Sequence, residues 1–379
     1  MKKNPFIVAG KIPSEYFCPR KKEAEQLKTR LINGNNVVLI SERRIGKTAL
    51  IANTLEKKDF KNNYQVVSLD LLHTTGLSEF VLALSKEVFE SLLPRGKKVL
   101  LDFICFLKSI RLQFSIDPRT GMPTFSLELG QIEVPETTLK ELFDYLEKEE
   151  KPVIVVFDEF QQIGRYETAN VEALLRSHIQ RLKNVNFVFS GSSKHMLQQM
   201  FLSSAHPFYR SADLIRLEPI PEDNYVRFAS QLFRKNNREI DTDAIHLIYE
   251  ELFGHTFYLQ KILNCAFSHT DIGSKCSKKM IEDAFEEETT LNSVIYREIL
   301  SSLSLRTKEV LYAIAKEGEA EHITSGDFVK RHKLLSPSSV QTQTRAMLER
   351  GILTRKEKKY SISDKFFSLW IRSEILGIH

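Results

Sequence analysis

The segment SERRIGKTAL (residues 41–50) carries residue types that grip phosphate. Gly46, Lys47 and Thr48 complete the pattern G-x-x-x-x-G-K-[ST], with Ser41 in the position of its first glycine. A triphosphate needs clustered backbone N–H donors and a cation in contact with it. A helix starting near Gly46 supplies the donors and the positive end of its dipole. Lys47 then bridges the β- and γ-phosphates, and the Thr48 hydroxyl ligates Mg2+. The expected cofactor-binding loop is thus Ser41, Arg43, Arg44, Ile45, Gly46, Lys47, Thr48 and Ala49. The anion contacts come from the later amides and Lys47. Ser41 is therefore tolerated if its backbone can take the required angles.

Two further positions suit the same chemistry. Asp158 closes the apolar run PVIVVF as a second Mg2+-side carboxylate, and Glu159 is placed to orient or deprotonate an attacking water. Alone, such an acidic pair is more often a helix cap. Following a lysine loop, with each motif after a buried strand, it points to a nucleoside triphosphate with Mg2+. In VNFVFSGSS (185–193), Ser192 or Ser193 could sense the γ-phosphate by hydrogen bonding.

The elements that must position these groups alternate. NNVVLI (35–40), YQVVSLDLL (64–72), PVIVVFDEFQQI (152–163) and VNFVFSGSS read as strands. KTALIANTLEKK, LSEFVLALSKEVFESLL (77–93), TTLKELFDYLEKEEK (137–151) and VEALLRSHIQRLK (171–183) read as helices. This order predicts an α/β parallel sheet covered on both faces, with ligands at the carboxyl ends of the strands. Residues 94–135 interrupt it with an apolar helix, KKVLLDFICFLKSI, and a hairpin turning at Asp117–Met122. That region reads as an insertion packed on the sheet edge, or as a docking surface.

With these motifs in view, the chain resembles the archaeal-type P-loop ATPases, which are related to the AAA+ and STAND ATPases. Their loop carries two arginines before G-K-T, as SERRIGKTALI does, and FDEFQQI (157–163) resembles their second nucleotide motif. YFCPRKKEAEQL (16–27) is similar to their F-x-G-R-x-x-E entry motif at Phe17, Arg20 and Glu23, with Pro19 replacing the glycine. The resemblance implies that Arg20 belongs to the nucleotide site. It also implies that PFYRSADLIRLEPI (207–220) leads to a lid, and that FGHTFYLQ matches the lid's G-x-P-x-Y-L motif with Thr256 in place of proline. Arg210 in that segment is either a catalytic cation swinging toward the γ-phosphate or a surface ion-pair partner. The domains expected are a P-loop NTPase domain (1–220), a helical lid (221–300) and a winged helix (301–379).

The last of these has its own pattern. RTKEVLYAIAKEG, TSGDFVKRHKL and SPSSVQTQTRAMLERG read as three helices, and ILTRKEKKYSIS (352–363) as a two-stranded wing with a basic tip. Residues 301–379 hold 14 Lys and Arg against 9 Asp and Glu, an excess equal to the whole chain's net charge of +5. On double-stranded DNA, Ser338, Ser339, Gln341, Thr342 and Arg345 would face bases, and Lys356, Lys358 and Lys359 would meet phosphates. A winged helix contacting a protein or a second copy is the alternative for 336–359. YSISDKFFSLWIR resembles the family terminus, with Lys365 in place of proline; Trp370 and the two phenylalanines are expected in the core.

Composition excludes other classes. Hydrophobic residues at 42% and charged residues at 27% describe a globular chain, and no stretch reads as a membrane span. Cys18, Cys105, Cys265 and Cys276 form no C-x-x-C pair, which points to reduced thiols in a cytoplasmic protein and away from a zinc site. No N-K-x-D motif follows the sensor strand, which disfavours a GTPase. GHTFYLQKIL offers no lid arginine, which counts against a replication-initiator type. Two readings remain: an ATP-hydrolysing switch coupled to a DNA-contacting winged helix, and an ATP-bound scaffold whose winged helix holds protein.

Overall fold

The computed structural model describes residues 4–92, 113–116, 123–126, 134–167 and 170–378. The expected apolar helix at 97–110 and the turn at 117–122 lie outside them. The chain divides into two compact units, Lys11–Ile220 and Met1–Gly10 with Pro221–His379. The first ten residues thus group with the second unit rather than with the nucleotide domain. Asn264 Nδ2 donates to the Phe6 carbonyl at 2.6 Å, and Phe6 packs on Phe233 and Phe267.

The first unit is built on a parallel sheet. Its strands are β1 (Val37–Ile40), β2 (Gln65–Asp70), β5 (Val153–Asp158), β6 (Val185–Gly191) and β7 (Asp213–Arg216), in the order β2-β5-β6-β1-β7. The hairpin of β3 (Gln113–Ile116) and β4 (Pro123–Ser126) pairs separately and antiparallel. Strand β7 is a correction: DLIR lies inside the segment read only as a lead to the lid. Four residues with a charge at each end carry too little alternation to be read as a strand, and pairing with β1 is what makes them one.

Side-chain alternation explains why the central strands are continuously apolar. Val37 and Leu39 of β1, Ile154 and Val156 of β5 and Val188 of β6 face α1 (Lys21–Ile32), α2 (Lys47–Leu55) and α3 (Lys58–Asn63). Val38, Ile40, Val153, Val155, Phe157, Phe187 and Phe189 face α4 (Leu77–Leu92) and the helices Pro135–Glu147, Val171–Ile179 and Lys194–Leu202. Both faces are dry, so neither set could be polar. On the second face Phe157, Phe160, Phe187, Phe189, Phe201 and Phe208 form a chain of ring contacts 4.6–6.1 Å apart. That packing anchors the end of β5, where the acidic pair sits.

In the second unit, helices Glu222–Lys235, Thr242–Glu251, Thr256–His269, Lys278–Leu291 and Ser293–Ser301 precede the helix-turn-helix. Helix Leu305–Glu317 is capped by Gly318 at φ 72°, and Gly351 at φ 70° follows Pro337–Glu349. The Ser325 and Ser336 side chains accept from the amides of Phe328 and Ser339, capping the second and third helices of the motif. Strands β9 (Leu353–Lys356) and β10 (Lys359–Ile362) form the wing, joined by a third strand, β8 (Ala320–Glu321), which its two residues do not announce. Phe366, Phe367 and Trp370 are buried, as expected of the core, with Phe367 and Trp370 on Tyr296 and Phe366 on Tyr258. Lys365 is buried too, donating to Ser361 Oγ at 3.1 Å.

Candidate nucleotide site

Parallel register brings the ends of β1, β5 and β6 together. Ile40 stands opposite both Gly191 and Arg216, and Asp158 closes β5. Beyond Ile40 the chain loops through residues 41–46 and enters α2. Gly46 is the helix cap at φ 99°, where a Cβ would be strained, and it offers no side-chain acceptor to the first-turn amides. Arg44 also takes a left-handed φ of 66°. Ser41 does not, since its φ is not positive. Replacing the first glycine by serine therefore demands no left-handed backbone here.

Ser41 is buried and engaged instead. Its Oγ accepts from Lys47 Nζ at 3.0 Å and donates to the Glu42 carbonyl at 2.7 Å, and Lys47 also donates to that carbonyl at 3.1 Å. Burial lowers the Lys47 pKa, with Asp158 and Glu159 opposing the shift. An ammonium so desolvated, held by neutral oxygens, suits an incoming polyanion. Ser41→Gly removes one of these acceptors and adds chain freedom, which costs about 0.4–1 kcal/mol of stability. The expected ATP dissociation constant stays within about threefold of the parent, because the phosphates replace Ser41 as the lysine's partner. Calorimetric titration checks it, and a tenfold gain would mean that the serine distorts the loop.

Asp158 is fully engaged. Its Oδ2 accepts from Thr48 Oγ1 at 2.7 Å, and its Oδ1 from Ser190 Oγ at 2.6 Å and the Glu159 amide at 3.0 Å. The two expected metal-side groups are thus already in contact. Ser190 belongs to the polar strand end 190–193, but a serine inside a buried strand gives no local sign that Asp158 is its partner.

Glu159 caps the short turn Phe160–Arg165 with φ 53°, an uncommon angle for a residue with a side chain. Its Oε2 accepts from the Ser192 hydroxyl at 2.8 Å, the Ser192 amide at 3.2 Å and Gln161 Nε2. Ser192 is therefore beside Glu159, while Ser193 begins the helix Lys194–Leu202. Gln161 was not anticipated. It is buried, and a Cβ built on Gly191 would fall 1.9 Å from its Oε1. The glycine admits the glutamine, and the glutamine holds the glutamate. Gly191→Ala must displace Gln161, with an expected turnover loss of up to about 10²-fold, the scale of a misplaced reacting group. The measurement is kcat beside ATP affinity: loss in affinity alone would contradict this positioning.

Arg20 is buried, but it faces the loop backbone. Its guanidinium donates to the Ile45 carbonyl at 2.9 Å, the Glu218 carbonyl at 2.7 Å and Glu23 at 3.3 Å. It ties the loop to the segment after β7. Arg43 and Arg44 are exposed beside the loop. Arg210 is not brought into the cluster: it is exposed at φ 51°, with its guanidinium 5.2 Å from the Tyr209 ring centre. Lys194 and Arg216 line a concavity next to the loop with Ser41, Ile45, Leu217 and Pro219. The pairing of β7 with β1 creates that concavity, so it was hidden with the strand.

Among the described residues, no helix is long and apolar enough to cross a membrane. No curated protein matches the chain by sequence. In fold it is similar to the Walker-type ATPase of Pyrococcus abyssi, at 19% identity and a TM-score of 0.64 over 97% of this chain and 99% of that one. It is similar to the Aeropyrum pernix ORC2 protein, solved as ADPNP–ADP complexes, at 15% identity and a TM-score of 0.61 over 99% and 98%. It also resembles the Aeropyrum pernix ORC1 protein in complex with DNA, at 14% identity and a TM-score of 0.50 over 94% and 92%. A family described as a probable winged helix domain matches residues 294–373. The family of ATPase domains predominantly from Archaea matches residues 17–262, most of the chain, and the protein belongs to it.

Proposed function

We propose that this ATPase-family chain hydrolyses Mg·ATP and uses the nucleotide state to control a DNA-contacting winged helix. The observation that carries the reading is the convergence of Lys47, the Thr48–Asp158 pair and Glu159 at the carboxyl ends of the central strands. Lys47 exchanges Ser41 and the Glu42 carbonyl for β- and γ-phosphate oxygens. Thr48 and Asp158, oxygen ligands 2.7 Å apart, suit Mg2+, which would neutralise phosphate charge. Glu159 accepts the proton of the attacking water. Ser192, now donating to Glu159, can turn its hydroxyl to a γ-phosphate and report its presence.

For DNA, Ser338, Gln341, Thr342 and Arg345 are exposed on the third helix, with Ser339 half-buried. The ORC1 protein of similar fold was solved with DNA. The test is ATP turnover with and without mixed-sequence duplex, beside a gel shift at two salt concentrations. Salt-dependent binding that changes turnover supports the switch.

The scaffold reading is favoured by the ion pairs of two of these cations. Arg345 is paired with Glu349 at 3.0 Å, and Lys359 with Glu319 at 3.2 Å and Glu321 at 3.7 Å. Arg345 is thus already engaged where it would meet bases, and Lys359 where it would meet phosphate. Slow turnover unmoved by DNA, with no shifted band, selects the scaffold.

A further inference from the structure

A second set of ligand-bearing side chains lies in the unit Pro221–His379. Cys265 and His269 are one turn apart on the helix Thr256–His269 and share a face, and Glu287 on the helix Lys278–Leu291 meets them. Cys265 Sγ donates to Glu287 Oε2 at 3.3 Å and lies 3.8 Å from His269 Nδ1. His269 Nε2 is 3.6 Å from the same carboxylate oxygen, and one ligand atom from each residue lies within 4.8 Å of the others. Among the described residues these three side chains bond only to one another. The neighbouring Glu288 is taken by Lys261 at 2.9 Å and stays out of the set.

Metal bonds of about 2.0–2.3 Å at tetrahedral angles hold adjacent donor atoms roughly 3.3–3.8 Å apart. The Sγ–Oε2 and Sγ–Nδ1 distances are already near that spacing, while the 3.6 Å approach to the carboxylate is made by the other ring nitrogen, Nε2, so a modest rotation of His269 brings one nitrogen to both partners. Cys265 is buried and fixed, while His269 and Glu287 are 50% and 49% exposed and free to rotate by small amounts. The donor set also selects the ion. A thiolate and an imidazole discriminate against Mg2+ and Ca2+, which want oxygen, and suit Zn2+ or Co2+. One thiolate and one carboxylate neutralise a divalent ion.

We propose that Cys265, His269 and Glu287 form a transition-metal site, of the Zn2+ class, that clips these two helices together. A fourth coordination position is left to water. On binding, the Cys265 S–H proton passes to solvent and the S–metal bond forms in its place, with no change of oxidation state. The site is separate from the Mg·ATP chemistry proposed above and does not depend on it.

The test uses the full chain, reduced, chelator-treated and nucleotide-free, in excess Mg2+ to saturate oxygen-rich sites. Co2+ is titrated alone, then displaced with Zn2+. The expected result is one equivalent of four-coordinate cobalt with a thiolate-to-cobalt charge-transfer band, and a thermal midpoint that rises with Zn2+. Cys265→Ser should abolish the band and weaken Zn2+ by about 100-fold or more, since even partners outside the ligand set cost roughly 10–100-fold. His269→Gln and Glu287→Gln should each keep the band at higher metal concentration and weaken Zn2+ at least tenfold. Circular dichroism establishes that each variant is folded, and if Cys265→Ser is not, the other two decide. Absence of the band, a band that survives Cys265→Ser, or unchanged Zn2+ affinity in the folded variants overturns the proposal.

Discussion

The Glu159→Gln protein is expected to bind ATP as tightly as the parent chain and to turn it over about 10²–10⁴-fold more slowly, the usual scale of general-base loss. The amide preserves the side chain's shape. Its oxygen can still accept from Ser192 and Gln161, so the turn Phe160–Arg165 keeps its cap and the chain its fold. What is lost is the ability to take a proton from water. Single-turnover kinetics separate this from slow product release, and calorimetry measures binding. Turnover within about threefold of the parent would leave Glu159 only the structural part that its left-handed backbone already performs.

Lys47→Ala has its largest effect on binding. Charge-assisted contacts to two phosphates are removed, and Ser41, the lysine's present partner, brings no positive charge. At about 1.5–3 kcal/mol for each hydrogen bond to a charged group, ATP affinity should fall more than a hundredfold. Folding should respond in the opposite sense. The folded-state pKa of Lys47 lies below its unfolded value because burial penalises the ammonium. The unfolded chain therefore binds the proton more tightly, so the penalty is full below the folded pKa. It is relieved as pH rises toward the unfolded value of about 10.4. Ligand-free Lys47→Ala should thus be at least as stable as the parent at neutral pH, and any advantage should shrink in alkali. Urea unfolding at two pH values checks it. A variant that loses both ATP and stability would mean that Lys47 is chiefly a structural residue.

The difference between what was legible and what was hidden follows from the range of the interactions. The loop Ser41–Thr48, the acidic pair after β5 and the caps Ser325, Ser336 and Gly318 act on backbone within a few residues, so spacing alone exposes them. The central strands are legible for a similar reason: burial on both faces demands an apolar residue at nearly every position. Sequence by itself thus determined the parallel α/β architecture, the glycine-lysine loop between a strand and a helix, and the helix-turn-helix with its wing. Strand β7, the Arg20 clamp on Ile45 and Glu218, the Ser190–Asp158 bond and the seating of Gln161 on Gly191 join residues 25 to about 200 positions apart. Each partner alone looks ordinary: a polar residue in a buried strand, an arginine before a helix, a glycine after phenylalanines. Only the tertiary structure decided these roles. A buried polar atom must find its hydrogen bond wherever the packed sheet brings a partner, and that place is not written near it in the chain.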